Sequence, residues 1–453
     1  MRNLYKSFPL IVAKFVLYSI VCVTIISLNS CKDKSAGEET APLATSKTAS
    51  TFDASLATYW TQMQLHLIKS TPGYAAPVAA RTLGYTSLAL YESIVYGMKD
   101  YQSLAGQING LTTLPKPDLT KEYNWGLAAN ASISTLIKEM YFTTNDANKA
   151  AIDSLRRTIE STLRKDVTKQ EVTDRSITFG ADIAKAIWEY AKKDGGHEGW
   201  NNNFPITYQI PTAIGSWEPT TTQKIPLLPY WGSNRNFSAL NSTSKPLAPL
   251  AFSFKEGSVM YLAAKEVHTT NKALTAEQKA IANFWSDASI TPAGHHFNIA
   301  SIILKKEKAK LDKAVEVYLR LGLALNDAMI SSWKSKYTYN LMTPFTYIKQ
   351  AIDPKWSPLL ASQPVPEYTS EQATSSAVAS TILISFFGDK YGFTDNTYEG
   401  TLPGRVFKTF DEYTNEATIA SLYAGTHYKM SNENGQKNGK EIAQNILKIK
   451  FKK

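Results

Sequence analysis

The chain has 453 residues, 43% of them apolar and 19% charged, enough to bury a large core and too little charge for a disordered polyelectrolyte. Lysine and arginine outnumber aspartate and glutamate by 49 to 39, but the excess is spread along the sequence. No arginine-rich stripe, zinc-finger spacing or glycine-rich phosphate loop goes with it, so nucleic acid is excluded as a partner; a solvated basic surface is the reading, with attraction to anionic headgroups left open.

Residues 1–30 carry Arg2, Lys6 and Lys14, then an apolar run from Phe15 to Leu28, then Leu28-Asn29-Ser30-Cys31. This pattern predicts a signal peptide ending in a lipobox, with Cys31 as the lipidated N-terminus of an exported, membrane-anchored lipoprotein of the cell envelope, on its periplasmic or surface side. The run is shorter than the roughly 20 apolar residues of a helical span, which argues against an uncleaved anchor. Cys22 would leave with the signal, so no disulfide is expected. Residues 31–51 are small and polar without a hydrophobic period and predict a flexible tether, so the membrane, reached through the lipid, is the one partner expected.

From 52 to 453 the pattern predicts one mostly α domain. Helices are expected near 52–69, 77–99, 118–140, 145–165, 169–193, 275–287, 296–310, 312–335, 372–388 and 435–448. In 312–335, Tyr318, Leu321, Leu325, Met329 and Trp333 recur at steps of three or four, the spacing of one buried face. The same spacing links Phe410, Tyr413, Ala417, Ala420 and Ala424. Between about 195 and 252 the chain turns rich in Pro, Asn, Thr, Gly and Trp, which predicts a long irregular excursion over the helical body. Trp200, Trp217, Tyr230 and Trp231 mark it as ordered rather than loose.

Three stretches near the C-terminus collect the polar groups of a site: Lys336 to Thr343-Pro344, Pro366 through Ser370-Glu371-Gln372, and Ala420-Ser421 to Gly425-Thr426-His427. In order and spacing they resemble the signature of the vanadium-dependent haloperoxidase and type 2 phosphatidic acid phosphatase superfamily, in which Lys-x6-Arg-Pro, Pro-Ser-Gly-His and Ser-Arg-x5-His segments converge on vanadate or phosphate. Further similar pieces are Ala79-Ala80-Arg81, Tyr91-Glu92-Ser93, Gly215 to Thr220, Pro226 to Gly232, Phe284-Trp285-Ser286-Asp287 and Thr291 to His295, so the resemblance runs from about residue 55 to 448. It implies a helical-bundle fold of the haloperoxidase and acid phosphatase type.

The resemblance also assigns site positions. Lys336 matches the oxyanion-binding lysine, Ser370 the serine, and His427 the histidine that ligates vanadate or acts as phosphatase nucleophile. Thr343 and Ser421 stand at the two arginine positions, Glu371 at the glycine, and Gln372 at the acid-base histidine; Pro344 and Gly425 keep the local turns. Ser431 falls where phosphatase relatives carry an aspartate that orients the histidine.

An oxyanion in a protein needs cations and preorganised N–H donors. Each lost charge-assisted bond is worth about 1.5 to 3 kcal/mol, so loss of both arginines weakens anion binding roughly a hundred- to ten-thousandfold. Glu371 adds a repelling charge, and Gln372 cannot exchange a proton. Vanadate, the cofactor of active relatives, is expected to bind weakly or not at all, leaving a pseudoenzyme. Two alternatives are an active haloperoxidase or phosphatase with a rebuilt site recruiting Arg405, Lys334 or Lys349, and a structural envelope protein. No metal site is expected: His295-His296 lacks a third ligand at suitable spacing and reads as a turn or packing pair, and a small cation site of Glu367, Glu371 and His427 is the weaker alternative.

Overall fold

The computed structural model describes residues 44–287 and 289–453. The expected signal peptide, Cys31 and most of the expected tether lie outside them. The end of the tether is a correction: the Ala44 N–H donates to the Leu119 carbonyl, Ser46 Oγ accepts from the Tyr123 N–H, and Ala49 is fully buried. Small polar residues read as flexible, yet these find backbone partners on the domain.

Helix starts follow their capping chemistry. Asp53 accepts from the Ser55 N–H at the start of α1 (Ser55–Ser70). Pro77 sits in the first turn of α2 (Ala76–Glu92), where a missing N–H costs nothing, and every residue of α2 is buried. The side chains of Asn124 and Asn145 cap α3 (Trp125–Met140) and α4 (Asp146–Arg164); α5 (Gln170–Ala191) packs along α3. Ser258 caps α6 (Val259–Lys272), and Thr275 with Gln278 forms a capping box on α7 (Ala276–Phe284). Pro292 lies in the first turn of α8 (Thr291–Lys306).

The axis of the fold is α9 (Leu311–Tyr339), 29 residues long and buried on all sides through most of its length, as a central bundle helix must be. After α10 (Pro344–Ala351), α11 (Glu371–Phe387) packs against α9 with Ser370 as its cap. A two-stranded antiparallel hairpin, β1 (Phe393–Asp395) and β2 (Arg405–Phe407), precedes α12 (Phe410–Ala424) and α13 (Lys429–Leu447), and α13 lies along α11. Among the described residues no helix is long and apolar enough to cross a membrane.

The excursion is present: no α-helix or strand lies between Ala191 and Val259. Distant polar contacts hold it to the bundle. Arg81 Nε donates to Asp194 at 2.7 Å; Asp327 of α9 accepts from the Phe237 and Ser238 N–H groups at 2.7 and 3.0 Å; and Trp333 and Tyr337 both donate to the Leu227 carbonyl. Three helix starts differ from the sequence reading. The segment 118–124 is turn rather than helix, α8 begins at Thr291 rather than 296, and α13 at Lys429 rather than 435. Helices α6 and α10 and the hairpin were not expected.

Candidate active site

Lys336 lies in the last turn of α9 and is completely buried. Its ammonium donates to the carbonyls of Pro366 and Glu367, both at 3.3 Å, and stands 3.0 Å from Glu371 Oε2. Asn340, in the left-handed conformation (φ 45°), ends α9 and turns the chain so that Leu341 pairs with Glu367. This pairing brings the 366–372 segment over the lysine. Glu371 is the first residue of α11, where the helix dipole favours a carboxylate. Burial would raise its pKa, but Lys336 and then His427 hold it well below the ordinary carboxylate range.

His427 follows Gly425, whose φ of 82° closes α12 in a conformation that a side chain resists. Its Nδ1 donates to Glu367 Oε1 at 2.9 Å, and its Nε2 stands 3.6 Å from Glu371 Oε2. Glu367 is itself fixed: Oε1 also accepts from the Tyr428 N–H at 3.0 Å and Oε2 from Ser431 Oγ at 2.6 Å. Burial pushes the imidazole towards neutrality, but Glu367 and Glu371 together outweigh it and raise the pKa above 6.5. The result is a neutralised quartet of two carboxylates, one ammonium and one imidazolium.

The quartet borders a cavity of about 470 Å³. Thr343, Glu367, Glu371, Gln372, Ser421 and His427 line one side; Tyr74, Trp285, Asp287 and the 360–366 segment line the rest. Its wall contains no lysine or arginine among the described residues. Across from the quartet lies a second ionic cluster. His295, wholly buried in α8, shares its Nδ1 with Asp287 Oδ1 at 2.6 Å and its Nε2 with Asp395 Oδ2 at 2.8 Å. Burial alone would lower the His295 pKa, but the two aspartates raise it to about 10.

The model of the VCPO second helical-bundle domain matches residues 350–452. The whole fold is similar to the crystal structure of the first bacterial vanadium-dependent iodoperoxidase, at 31% identity and a TM-score of 0.79, over 88% of this chain and 96% of that one. The chain belongs to the vanadium-dependent haloperoxidase family. Holo and apo structures of a bacterial vanadium-dependent chloroperoxidase share the fold at 15% identity, with TM-scores of 0.65 and 0.64 over 84% of this chain. No curated protein matches.

The three segments expected to form a site converge. Glu371, Gln372, Thr343, Ser421 and His427 face one cavity, with Lys336 directly behind Glu371. Ser370 caps α11 through the Ala373 N–H and does not line the cavity. Thr343 takes the N-cap position of α10, with Pro344 after it; Ser421 Oγ donates to Asn432 at 2.7 Å; Gln372 Nε2 is buried without a partner. The candidate replacement cations are elsewhere. Arg405 pairs with Glu416 and Glu277, Lys334 with the Ser242 carbonyl, and Lys349 covers Phe345.

Ser431, at the place of the phosphatase aspartate, reaches His427 only through Glu367: it donates to Glu367, which holds the imidazole. Of the turn or packing roles expected for His295-His296, packing is the one met: both are buried inside α8, His295 between two aspartates and His296 Nδ1 at 2.6 Å from the Tyr413 hydroxyl. Glu367, Glu371 and His427 do meet, with His427 hydrogen-bonded to Glu367 and ion-paired with Glu371, and no group able to hold a metal occurs among the described residues. Sequence reading named Asp287 and His295 in similar segments but missed their pairing, and missed Asp395 altogether: the aspartates approach His295 from a turn and a strand, 8 and 100 residues away, with no periodicity to announce them.

Proposed function

We propose that this haloperoxidase-family protein is an exported, lipid-anchored member whose pocket no longer holds vanadate and which does not catalyse halide oxidation or phosphate ester hydrolysis. One observation carries the reading: the Glu371 carboxylate occupies the ground that an oxyanion needs. Its Oε2 stands 3.0 Å from Lys336 Nζ and 3.6 Å from His427 Nε2, the two charged groups retained from the family signature. A fixed internal anion already stands as counter-ion to both.

The residues present do not fit vanadate. The arginine positions hold neutral Thr343 and Ser421, and among the described residues no lysine or arginine on the wall replaces them. A multiply charged anion entering here would meet Glu371 and Glu367 in a medium of low dielectric, where repulsion at such range costs several kcal/mol. Gln372 supplies no proton. The iodoperoxidase and chloroperoxidase activities named for the structural relatives therefore do not carry over.

The reading is tested by incubating purified protein with orthovanadate, hydrogen peroxide and iodide. Iodide oxidation should not exceed that of orthovanadate alone. A clear rate that disappears in His427→Ala would sink the proposal. For the anchor, metabolic palmitate labelling should depend on Cys31.

A further inference from the structure

We propose that the cavity binds an organic cation, a primary ammonium ion with a small apolar body, with Asp287 as its charge partner. The inference rests on the anion-excluding reading above and adds a ligand class to it. Around the quartet, two carboxylates face two cations: Glu367 and Glu371 against His427 and Lys336. Around His295, two carboxylates face one cation. The two clusters at and behind the cavity wall are together left with one carboxylate in excess.

The excess has an address. Asp287 Oδ1 accepts from both His295 and Tyr398, whereas Oδ2 is buried with no hydrogen-bond partner, on a residue 4% exposed that lines the cavity. A buried carboxylate oxygen without a donor is costly, and an N–H cation relieves it. Ser362 Oγ, on the same wall, is a second buried oxygen without a partner. The rest of the wall suits an apolar body: Tyr74, Ala75, Trp285, Leu360 and Val365 lie around it, with the Trp285 indole stacked on His295 behind it. At about 470 Å³ the cavity falls in the range of small-molecule sites. A metal ion is disfavoured because, among the described residues, no group of histidine, aspartate or glutamate side chains is arranged to hold one.

Calorimetry on the mature chain separates the possibilities with probes of one shape and different charge: 2-phenylethylammonium, 2-phenylethanol and 3-phenylpropanoate, with calcium chloride as the metal control. The cation should bind about ten- to a hundredfold more tightly than the alcohol, as a charge-assisted bond predicts, and the carboxylate should not bind. Asp287→Asn should erase the preference for charge. Because that change also disturbs His295, Ser362→Lys in the half-buried loop serves as the second variant: it brings an ammonium of the chain's own to the cavity and should weaken the cation while sparing the alcohol. Equal affinity for cation and alcohol, preference for the carboxylate, binding of calcium instead, or no saturable binding across primary ammonium ions from methyl to 2-phenylethyl would overturn the proposal. Tight orthovanadate binding by the unmodified protein would instead sink the anion-excluding reading, so the two failures are distinguishable.

Discussion

Glu371 is the residue on which the chemistry turns. A glycine there would leave the Lys336 ammonium and the His427 imidazole facing the cavity; the carboxylate joins them instead. Its removal should therefore be felt as a gain. Glu371→Gln keeps the shape, frees Lys336 from its counter-ion, and should raise phosphate or orthovanadate affinity by at least tenfold, read by calorimetry; adding Thr343→Arg and Ser421→Arg should raise it again. No change in the single variant would mean that the carboxylate does not block the anion. The same variant tests the imidazole. Glu367 and Glu371 both favour the protonated ring, so His427 should titrate above 6.5 in the unmodified protein and lower in Glu371→Gln, followed by NMR of the ring.

At the scale of elements, the site depends on how closely α13 lies on the first turns of α11. A Cβ at Gly439 would meet the Thr374 carbonyl oxygen at 2.3 Å, closer than real Cβ atoms approach, and the contact is with backbone that cannot swing aside. Gly439→Ala should thus destabilise by about 1 to 3 kcal/mol despite alanine's advantage of about 1 kcal/mol in helix propensity. Lys437→Ala, exposed on the same helix, should stay within about 0.5 kcal/mol, and denaturant melts compare the two. Elements of this kind were readable where a periodic face was long, as in α9. They were missed where it was short: α6 buries Met260, Ala264 and Val267 at helical spacing, but in a stretch of 14 residues that follows the irregular excursion. The starts of α3 and α8 carried local signals, Asn124 as cap and Thr291-Pro292, that periodicity alone overran. The candidate site was legible because its three motifs are local strings, whereas Glu367 orienting His427 and Asp287 reaching His295 are partnerships made only by folding.

For the whole molecule, buried ionisable groups set how stability depends on pH, and most of them point one way. His295, raised to about 10, ties α8 to the turn after α7 and to β1. A histidine held protonated contributes stability that is fully present below its ordinary 6.5 and is lost as pH rises through 10. Glu92 and Asp327, pushed up by burial to about 7 and about 6, bind protons more tightly folded than unfolded. Their effect runs the same way at lower pH: stability is greatest below the ordinary 4.5 and 3.8 and declines as pH climbs to 7 and 6. Glu371 and Asp395, both lowered, oppose this in acid, since their contribution is lost as pH falls below the ordinary carboxylate range, and His296, held neutral by burial and by His295, opposes it from 6.5 downward. The melting temperature should therefore peak in mildly acidic solution, near pH 4 to 5, and fall on the alkaline side in two stages. Each stage has its own variant. Glu92→Gln, which can still accept from the Leu104 N–H, should flatten the fall between about 4.5 and 7, a gain on the order of 3 kcal/mol at pH 8. His295→Gln should lower stability at pH 6 and flatten the fall between 6.5 and 10. Calorimetric melts across that range decide it, and a melting temperature that rises steadily from pH 5 to 9 would show that His295 is not held protonated by its two aspartates.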